Sequence, residues 1–544
     1  MHGKTLVVTG AAVLLLAACR RDHADPPAPL PVVAVAPARI PAPTREVEST
    51  IAARDYIGPA RCGECHPDEH ARWQTSLHRV MNQRAETAGA VIGAWPARVA
   101  YRGGEVRFAR DATGYTMTFA RGATTARYRV TRTIGTRGLQ EYVGVEDGRT
   151  EEVRLPFAWW PRRGGWYPQP YFDPWLRDEA AFDAYAPVRE PWAERCPWCH
   201  STYPFAQRIA RASGPTLVGH GLEQYFTARA GGDRLDVDAQ ITTGISCESC
   251  HLGGRAHADG AAIDFVPHGA VPREGAPRST TFAAERKDPA IVNAVCAQCH
   301  SGPSPRFPDG TSSRNSSEAL DLATSPCTGI KCTDCHDPHR AEARGAEPQA
   351  IAACTHCHDT FATPDAARIH AGPGHATTSC LDCHMPRIVL GIDHFVRTHR
   401  ISSPTDPQML AVAAPNACNV CHLDRSIRWT VDELRAEHEV RLDPRGWKAY
   451  GDLDQPVGEV WLTSSEPALR LIAAAAYARS PLGRFALPHL MRGLDDALPY
   501  VRTWTLFAAE EVLGRRIPES EYDPRASREV RAQQIEALRA SPRP

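Results

Sequence analysis

The chain has 544 residues, which corresponds to three or four domains and excludes a single small module. With 42% hydrophobic and 23% charged residues, most of the chain can bury a core, which excludes wholesale disorder. Lys and Arg (62) balance Asp and Glu (63), so the net charge of -1 gives no basic surface for nucleic acid. The unusual numbers are 18 Cys and 23 His against only 6 Met, because a reducing cytosol makes so many cysteines uncommon.

Residues 1–19 resemble a bacterial lipoprotein signal peptide. Lys4 is followed by an apolar stretch from Leu6 to Ala18 that is too short to span a bilayer comfortably. It ends in Leu-Ala-Ala-Cys19, like a lipobox in which Cys19 is lipidated and becomes the mature N-terminus. An ordinary signal peptide with a chance cysteine is the alternative. Because Arg20 rather than Asp follows, we expect an exported outer-membrane lipoprotein that faces the periplasm or the cell exterior.

Residues 20–52 contain seven prolines among Ala and Val, a composition that favours extended polyproline geometry and cannot fold alone. At roughly 3.1 Å per residue this tether reaches about 100 Å from the lipid. We expect a globular part that is anchored to the membrane yet free to swing.

A C-x-x-C-H pattern occurs eight times and uses sixteen of the eighteen cysteines. In chain order, and numbered motif 1 to motif 8, the copies are Cys62-Gly-Glu-Cys65-His66, Cys196-Pro-Trp-Cys199-His200, Cys247-Glu-Ser-Cys250-His251, Cys296-Ala-Gln-Cys299-His300, Cys332-Thr-Asp-Cys335-His336, Cys354-Thr-His-Cys357-His358, Cys380-Leu-Asp-Cys383-His384 and Cys418-Asn-Val-Cys421-His422.

This pattern is the attachment signature of c-type haem. Both thiols bond to the porphyrin vinyl groups, and the imidazole that follows becomes the proximal ligand of the iron. The motifs therefore predict eight covalently attached haem c groups, with the sixteen cysteines as attachment points and the eight motif histidines as proximal ligands. Zinc is a weaker reading because it does not require His after every pair, and disulfides would be strained or redox-active.

The sixth iron ligands are predicted to be mostly histidines, because six methionines cannot supply eight irons and a bis-His set fits electron carriers of low potential. His70 lies four residues after His66 on a predicted helix and cannot reach the far face of its own haem, and His356 lies inside a CxxC loop. The preferred distal candidates are His78, His257, His339, His370 and His399, and the weaker ones are His220, His268, His375 and His394.

Cys327 is left outside the motifs. We expect an inert buried thiol. The alternative is a thiolate ligand or a reactive group near the haem of motif 5.

Six motifs crowd into residues 247–422, too few residues per haem for an independent hydrophobic core around each one. The predicted fold is therefore mainly α with irregular loops around stacked c-type haems, a small antiparallel β insertion and C-terminal helical repeats. The predicted segments are the signal peptide 1–19, the tether 20–52, a first haem segment 53–97, the β insertion with an aromatic stretch 98–175, a seven-haem core 176–430 and a helical domain 431–544.

Alternation of apolar and polar residues predicts the β insertion, as in Val106/Phe108 and Met117/Phe119, with a turn at Asp111–Gly114. The aromatic residues that follow, from Trp159 onward, either pack against haem and sheet or form a substrate platform.

After motif 8 the apolar spacing becomes helical. Leu469, Ile472, Ala473 and Ala476 lie on one face, and Val501, Trp504, Thr505 and Ala508 repeat that spacing. The pattern is similar to HEAT-type helical repeats, which need to pack on a neighbour to be stable. This layer is either a structural cap or a surface that docks a partner protein.

The arrangement resembles the multihaem c-type cytochromes with a cytochrome c552/c554-like domain. The resemblance covers roughly residues 55–520 and is carried by CGECHPDEHARWQTSLH (62–78), CESCHLGGRAH (247–257), GIKCTDCHDPH (329–339), CLDCHMP (380–386) and PNACNVCHLDRSIRW (415–429). It implies that His78 and His257 each ligate a neighbouring haem. Members of this family usually have Gly-Pro-Gly after the third motif, and this chain has Leu252-Gly253-Gly254 at that place.

The predicted function is an octahaem electron relay in the bacterial cell envelope that exchanges electrons with redox partner proteins. The alternative is an octahaem oxidoreductase, similar to hydroxylamine oxidoreductase or tetrathionate reductase, in which one open haem acts on a small nitrogen or sulfur compound. Its best positions are the haems of His66 and His200. The sequence shows no CxxCK, the variant typical of a nitrite reductase site.

The lipid anchor gives a first testable prediction. Replacing Cys19 by Ser removes the acylation site, so the protein should move from the membrane fraction to the soluble fraction while keeping its haem. Cys327→Ser is the matched control and should stay with the membrane. Retention of Cys19→Ser in the membrane fraction at wild-type level contradicts the lipidation.

Overall fold

The computed structural model describes residues 49–174, 179–207, 226–228, 240–263, 265–267, 270–272, 286–302, 304–340, 347–406, 412–438, 440 and 451–540. The chain divides into two units, residues 1–32 and 33–544, and every described residue belongs to the second. The predicted signal peptide, Cys19, most of the tether, His220 and His268 lie outside the described residues. Within the described ranges, no helix has the length and apolar character needed to cross a bilayer.

An antiparallel sheet fills the region between motifs 1 and 2. In the described stretch 49–174 it has seven strands, β1 Asn82–Arg84, β2 Ala97–Tyr101, β3 Gly104–Asp111, β4 Gly114–Arg121, β5 Thr124–Ile134, β6 Glu141–Glu146 and β7 Glu152–Arg154. The order across the sheet is β2-β3-β4-β5-β6-β7, and β1 pairs with the last residues of β5. Phe108 lies opposite Met117 and Val106 opposite Phe119, and all four are buried, as their alternation predicts.

A hairpin of β8 Phe157–Trp160 and β9 Gly165–Pro168 adds aromatic residues to the buried face of this sheet. Trp166 stacks on Phe108 with ring centroids 3.8 Å apart. This part of the aromatic stretch packs in the core of the sheet, which agrees with the packing role that the sequence predicts as one of two alternatives.

The fold is mixed helix and sheet, which confirms in part the predicted combination of helices with a β insertion, and the stacked haems stay a prediction. The β insertion is larger than its apolar alternation indicates, since some strand residues are buried polar groups that pair with each other. Arg132 is 1% exposed and donates to Glu152 of β7 at 2.8 Å, and Asn82 of β1 is fully buried and donates to Ser201. Buried polar residues of this kind interrupt the alternation of apolar and polar residues, so the alternation does not show the full extent of the strands.

The remaining strands are short and pair two by two. They are β10 Ser201–Thr202 with β12 Thr242–Thr243, β11 Phe226–Ala228 with β13 Ala270–Pro272, and β14 Val389–Leu390 with β15 Phe395–Val396.

Short helices carry the motifs, and several begin where a side chain caps the first turn, as Asp288, Ser379 and Asn416 do by accepting backbone N–H groups. Up to motif 7 the helices are α1 Pro59–Cys65, α2 Pro67–Gln74, α3 Leu77–Val80, α4 Trp192–Arg195, α5 Pro197–His200, α6 Arg255–Ala258, α7 Pro289–His300, α8 Glu318–Ala323, α9 Cys332–Cys335, α10 Glu347–Cys357, α11 Pro364–Ala371 and α12 Cys380–His384. Single 3-10 turns lie at Ala53–Asp55, Gln169–Tyr171, Cys247–Ser249, Asp359–Phe361 and Pro373–His375.

The C-terminal part is helical, as its apolar spacing predicts. It comprises α13 Ala417–Cys421, α14 Ile427–His438, α15 Val457–Leu462, α16 Pro467–Ala478, α17 Gly483–Leu490, the 3-10 turn Met491–Asp495, α18 Pro499–Leu513 and α19 Arg528–Ala540. Helix α18 is buried over most of its length and packs against α16 and against Trp160 of the β8–β9 hairpin. Membership of the HEAT class stays a prediction.

Phe507 of α18 gives a test of this packing. It is 2% exposed, and its ring meets that of Trp160 edge-on at 5.0 Å. Phe507→Ala should lower the free energy of unfolding by about 3–5 kcal/mol, because it leaves a cavity at this contact. Phe485→Ala is the control, since Phe485 on α17 is 82% exposed, and it should change stability by less than about 0.5 kcal/mol in denaturant titrations. Equal effects of the two substitutions contradict this packing.

Candidate metal centres

Each motif folds as a single tight turn. In motif 1 the backbone N–H of His66 donates to the carbonyl of Cys62 at 2.9 Å, and in motif 8 that of His422 donates to Cys418 at 2.8 Å. Residues three and four apart in a helical turn lie on the same side, so both thiols and the imidazole of a motif face one direction. All the described cysteines are free thiols.

Within the described residues, five motif histidines each face a second histidine ring. The pairs and their centroid distances are His66–His257 at 6.1 Å, His251–His339 at 6.5 Å, His336–His399 at 6.1 Å, His384–His370 at 6.1 Å and His422–His375 at 5.9 Å. A bond from an imidazole nitrogen to a metal is about 2.0–2.1 Å, so two imidazoles on opposite sides of one ion have centroids roughly 6 Å apart. The rings of each pair are therefore separated by the width of one coordinated metal ion.

The second histidine of every one of these pairs comes from the segment after a different motif. His257 follows motif 3 and faces motif 1, His339 follows motif 5 and faces motif 3, and His399 follows motif 7 and faces motif 5. His370 and His375 follow motif 6 and face motifs 7 and 8. Each pair thus joins a motif to a segment outside it, and the separation along the chain ranges from the neighbouring His370 and His384 to the distant His66 and His257.

Hydrogen bonds at Nδ1 orient several of these rings. His257 Nδ1 lies 2.9 Å from the carbonyl of Ala261, and His384 Nδ1 lies 2.9 Å from that of Ser402. Because each carbonyl accepts the Nδ1 proton, Nε2 keeps its lone pair for a metal. His300, which has no facing histidine among the described residues, places Nδ1 3.1 Å from Glu318.

Burial also keeps two motif histidines neutral. Desolvation lowers the pKa of His200 to about 4 and that of His251 to about 4. A neutral imidazole is the form that ligates a metal, so both rings are ready for ligation at neutral pH.

Two other candidate distal histidines, His78 and His394, are also among the described residues. His78 is on α3, where its carbonyl accepts the N–H of Ile245, and His394 is exposed beside Asp393. His70 packs over Gly63 inside motif 1, where a Cβ would come within 2.8 Å of its ring. In the described ranges, His200 and His358 have no histidine ring facing them, and no group of three or more His, Cys, Asp or Glu side chains is placed to hold a metal ion.

Cys327 is half-buried near Cys357 of motif 6 and Cys335 of motif 5. Burial raises the pKa of Cys327, which keeps it in the thiol form and favours the inert role over the ligand role.

A buried polar network supports His399. The next residue, Arg400, donates to the carbonyl of Asp309 at 2.7 Å and to its carboxylate at 2.9 Å. The loop of Asp309 is held in turn by Asp321, which accepts from the hydroxyl of Ser312 at 2.7 Å. Periodicity and motif spacing do not detect this network, because its members are single polar residues on separate segments of the chain.

No family model matches the chain, and no curated protein sequence matches it. Two solved structures show a distant likeness. The outer cell wall cytochrome OcwA is 14% identical with a TM-score of 0.38, covering 88% of this chain and 99% of its own. The octahaem sulfite reductase MccA of Wolinella succinogenes is 14% identical with a TM-score of 0.30, covering 92% of this chain and 85% of its own. Likeness at this level transfers neither protein's activity to this chain.

Asp321 gives a pH prediction. It is 2% exposed, and burial raises its pKa to about 6 despite the donors around it. Because its folded pKa lies above the unfolded value of about 3.9, its stabilising contribution is complete below that value and is lost as pH rises through about 6. The melting temperature should therefore fall between about pH 4 and 6, by an amount equivalent to about 3 kcal/mol.

Asp321→Asn should remove this part of the pH dependence. Asp365→Asn is the control, since the Asp365 side chain is 87% exposed, and it should leave the wild-type profile unchanged. A profile for Asp321→Asn that matches the wild type over this range rules out Asp321 as the group responsible.

Proposed function

We propose that this chain is a multihaem c-type cytochrome that relays electrons in the bacterial cell envelope. The observation that carries the proposal is the set of five histidine pairs. In each pair the two rings are separated by about the width of one metal ion, and one of the two is the histidine of a CxxCH motif. In every motif the two cysteines are three residues apart and the histidine follows the second one, which is the spacing that covalent haem attachment needs.

In this proposal the eight motifs hold eight haem c groups through their sixteen cysteines. When bound, haem iron supplies one-electron exchange between its ferrous and ferric states. At five of the sites the iron would be held by the motif histidine together with His257, His339, His399, His370 or His375. An iron with two imidazole ligands would exchange electrons without binding a substrate, which favours electron transfer over catalysis at these sites.

Contacts between motifs support a relay. The thiol of Cys62 in motif 1 lies beside that of Cys247 in motif 3, and the thiol of Cys296 in motif 4 lies beside that of Cys332 in motif 5. Groups attached to these cysteines would be close neighbours, as electron exchange requires.

The proposal includes the cellular setting. Export and an outer-membrane anchor at Cys19 are supported by residues 1–19, and the proline-rich tether lets the haem part reach partners. Each ferric bis-His haem with ionised propionates adds roughly one negative charge, so the loaded protein carries about -9 and favours basic redox partners. The C-terminal helices are a cap on the haem region that also offers a docking surface.

A second candidate function is an octahaem oxidoreductase that acts on a small nitrogen or sulfur compound. The observation that favours it is at His200, whose ring has Trp192 at 6.5 Å and no facing histidine within the described residues. Among the described side chains, none would supply a second imidazole to a metal ion held there.

Removing one distal ligand tests the proposal. His399→Ala should convert one low-spin iron to a high-spin centre with an open position, because His399 faces His336. Electron paramagnetic resonance of the oxidised protein should show this as a new high-spin signal. His394→Ala is the control and should leave the spectrum unchanged, since His394 is exposed beside Asp393. A spectrum of His399→Ala without a high-spin signal contradicts the assignment of His399.

A further inference from the structure

A buried carboxylate joins motif 1 to motif 3. Glu248 is the residue after the first cysteine of motif 3, and it is only 2% exposed. Its two oxygens accept three backbone N–H groups, from Ile57 at 2.9 Å, Gly58 at 2.8 Å and Gly254 at 2.9 Å. Ile57 and Gly58 are nearly two hundred residues away in the chain, so Glu248 connects distant segments.

The two N–H groups of Ile57 and Gly58 belong to the start of the helix that carries motif 1. Gly58 is the N-cap of α1 and has φ +78°, a conformation that favours glycine, and its carbonyl accepts the Cys62 thiol at 3.4 Å. An ionised carboxylate only accepts hydrogen bonds, so three N–H donors fix its position. Glu248 therefore sets where the first turn of motif 1 lies relative to motif 3.

Two more contacts bring the same motifs together. The thiols of Cys62 and Cys247 lie beside each other, and His257 from the segment after motif 3 faces His66 of motif 1 at 6.1 Å. Motif 2 lies beside motif 4, where the indole N–H of Trp198 donates to a motif 4 carbonyl at 3.2 Å, and the segment after motif 2 reaches motif 3, where the hydroxyls of Thr202 and Ser249 are 2.8 Å apart. Motif 3 thus contacts both motif 1 and the segment after motif 2, and its contact with motif 1 is direct.

We infer that Glu248 is a positioning residue that docks motif 1 on motif 3, so that the groups attached to Cys62 and Cys247 are direct neighbours without motif 2 between them. This rests on the proposed function, since it concerns haem groups at both motifs. Glu248 acts through the backbone of motif 1 and touches neither an iron ligand nor a substrate.

The chain offers a matched control. Glu64 is also inside a CxxC loop, in motif 1, but its side chain is 59% exposed and pairs with Arg61 on the surface. Glu248→Gln and Glu64→Gln remove the same charge and the same atom type. Only Glu248→Gln turns an NH2 group toward backbone N–H donors, which breaks at least one of the three hydrogen bonds.

The test uses the full-length, haem-loaded protein. The mass of each denatured variant first gives the number of haem groups per chain, which tests the proposed function separately. Electron paramagnetic resonance of the oxidised protein at pH 8 then reports magnetic interaction between neighbouring ferric ions. The pH is chosen because burial raises the pKa of Glu248, and the carboxylate should be fully ionised.

We expect an interacting pair of ferric signals in the wild type and in Glu64→Gln, and its loss in Glu248→Gln with the haem number unchanged. An unaltered interaction in Glu248→Gln, or no interacting pair in a fully loaded wild type, overturns the inference. A wild type without covalent haem overturns the proposed function and this inference together.

A ligand exchange identifies the pair even where Glu248→Gln fails to load its haem. His257→Met and His339→Met change the ligands at motifs 1 and 3, so each should alter the interacting signal. His370→Met changes the ligand at motif 7 and should leave that signal unchanged. An interacting signal that does not respond to His257→Met, or that responds to His370→Met, contradicts the pairing of motifs 1 and 3.

Discussion

The distance between paired imidazole rings, close to the width of one metal ion, is the constraint on which the proposed haem sites depend. Each pair joins a motif to the segment after another motif. Helices α9, α10 and α11 have no buried residues. Because they lack an apolar core of their own, ligation at His336, His384 and His422 and the bulk of the proposed porphyrins would fix them in place.

Two large hydrophobic cores lie beside this region. One is the aromatic interior of the sheet around Phe108 and Trp166, and the other is the layer of C-terminal helices around Phe507. A smaller core includes residues of α7, the helix that carries motif 4. A buried ion pair connects the C-terminal helices to the segment before motif 2, since Arg502 of α18 donates to Glu179 at 2.8 Å. These contacts hold the parts of the chain on either side of helices α9, α10 and α11, which bury no residues of their own.

The sequence predicted which histidines lie against motif histidines better than which motif each of them meets. Spacing and supply of histidines selected His257, His339, His370 and His399, and the structure brings each of them against a motif histidine. Which motif each one faces was not predictable, because the partner lies up to about two hundred residues away. That these rings bind haem iron stays a prediction, as does any role of His220 and His268, which lie outside the described residues.

Buried polar residues account for most of what sequence reasoning missed. Glu248 reads as an ordinary loop residue of a CxxC motif, and Arg132 interrupts the apolar alternation of its strand. Each of these charged groups can be buried because partners from other parts of the chain hydrogen-bond to it. The partners are Ile57 and Gly58 for Glu248, and Glu152 for Arg132. Hydrophobic periodicity detects residues that bury apolar area. It does not detect buried polar residues whose hydrogen-bond partners come from other parts of the fold.

The most direct test of the central claim is the intact mass of the mature protein after denaturation, which strips every group that is not covalently bound. Eight haem groups per polypeptide, retained without reductant-sensitive loss, is the result that the eight CxxCH motifs predict. A polypeptide whose mass shows only the lipid and the amino acids contradicts the claim.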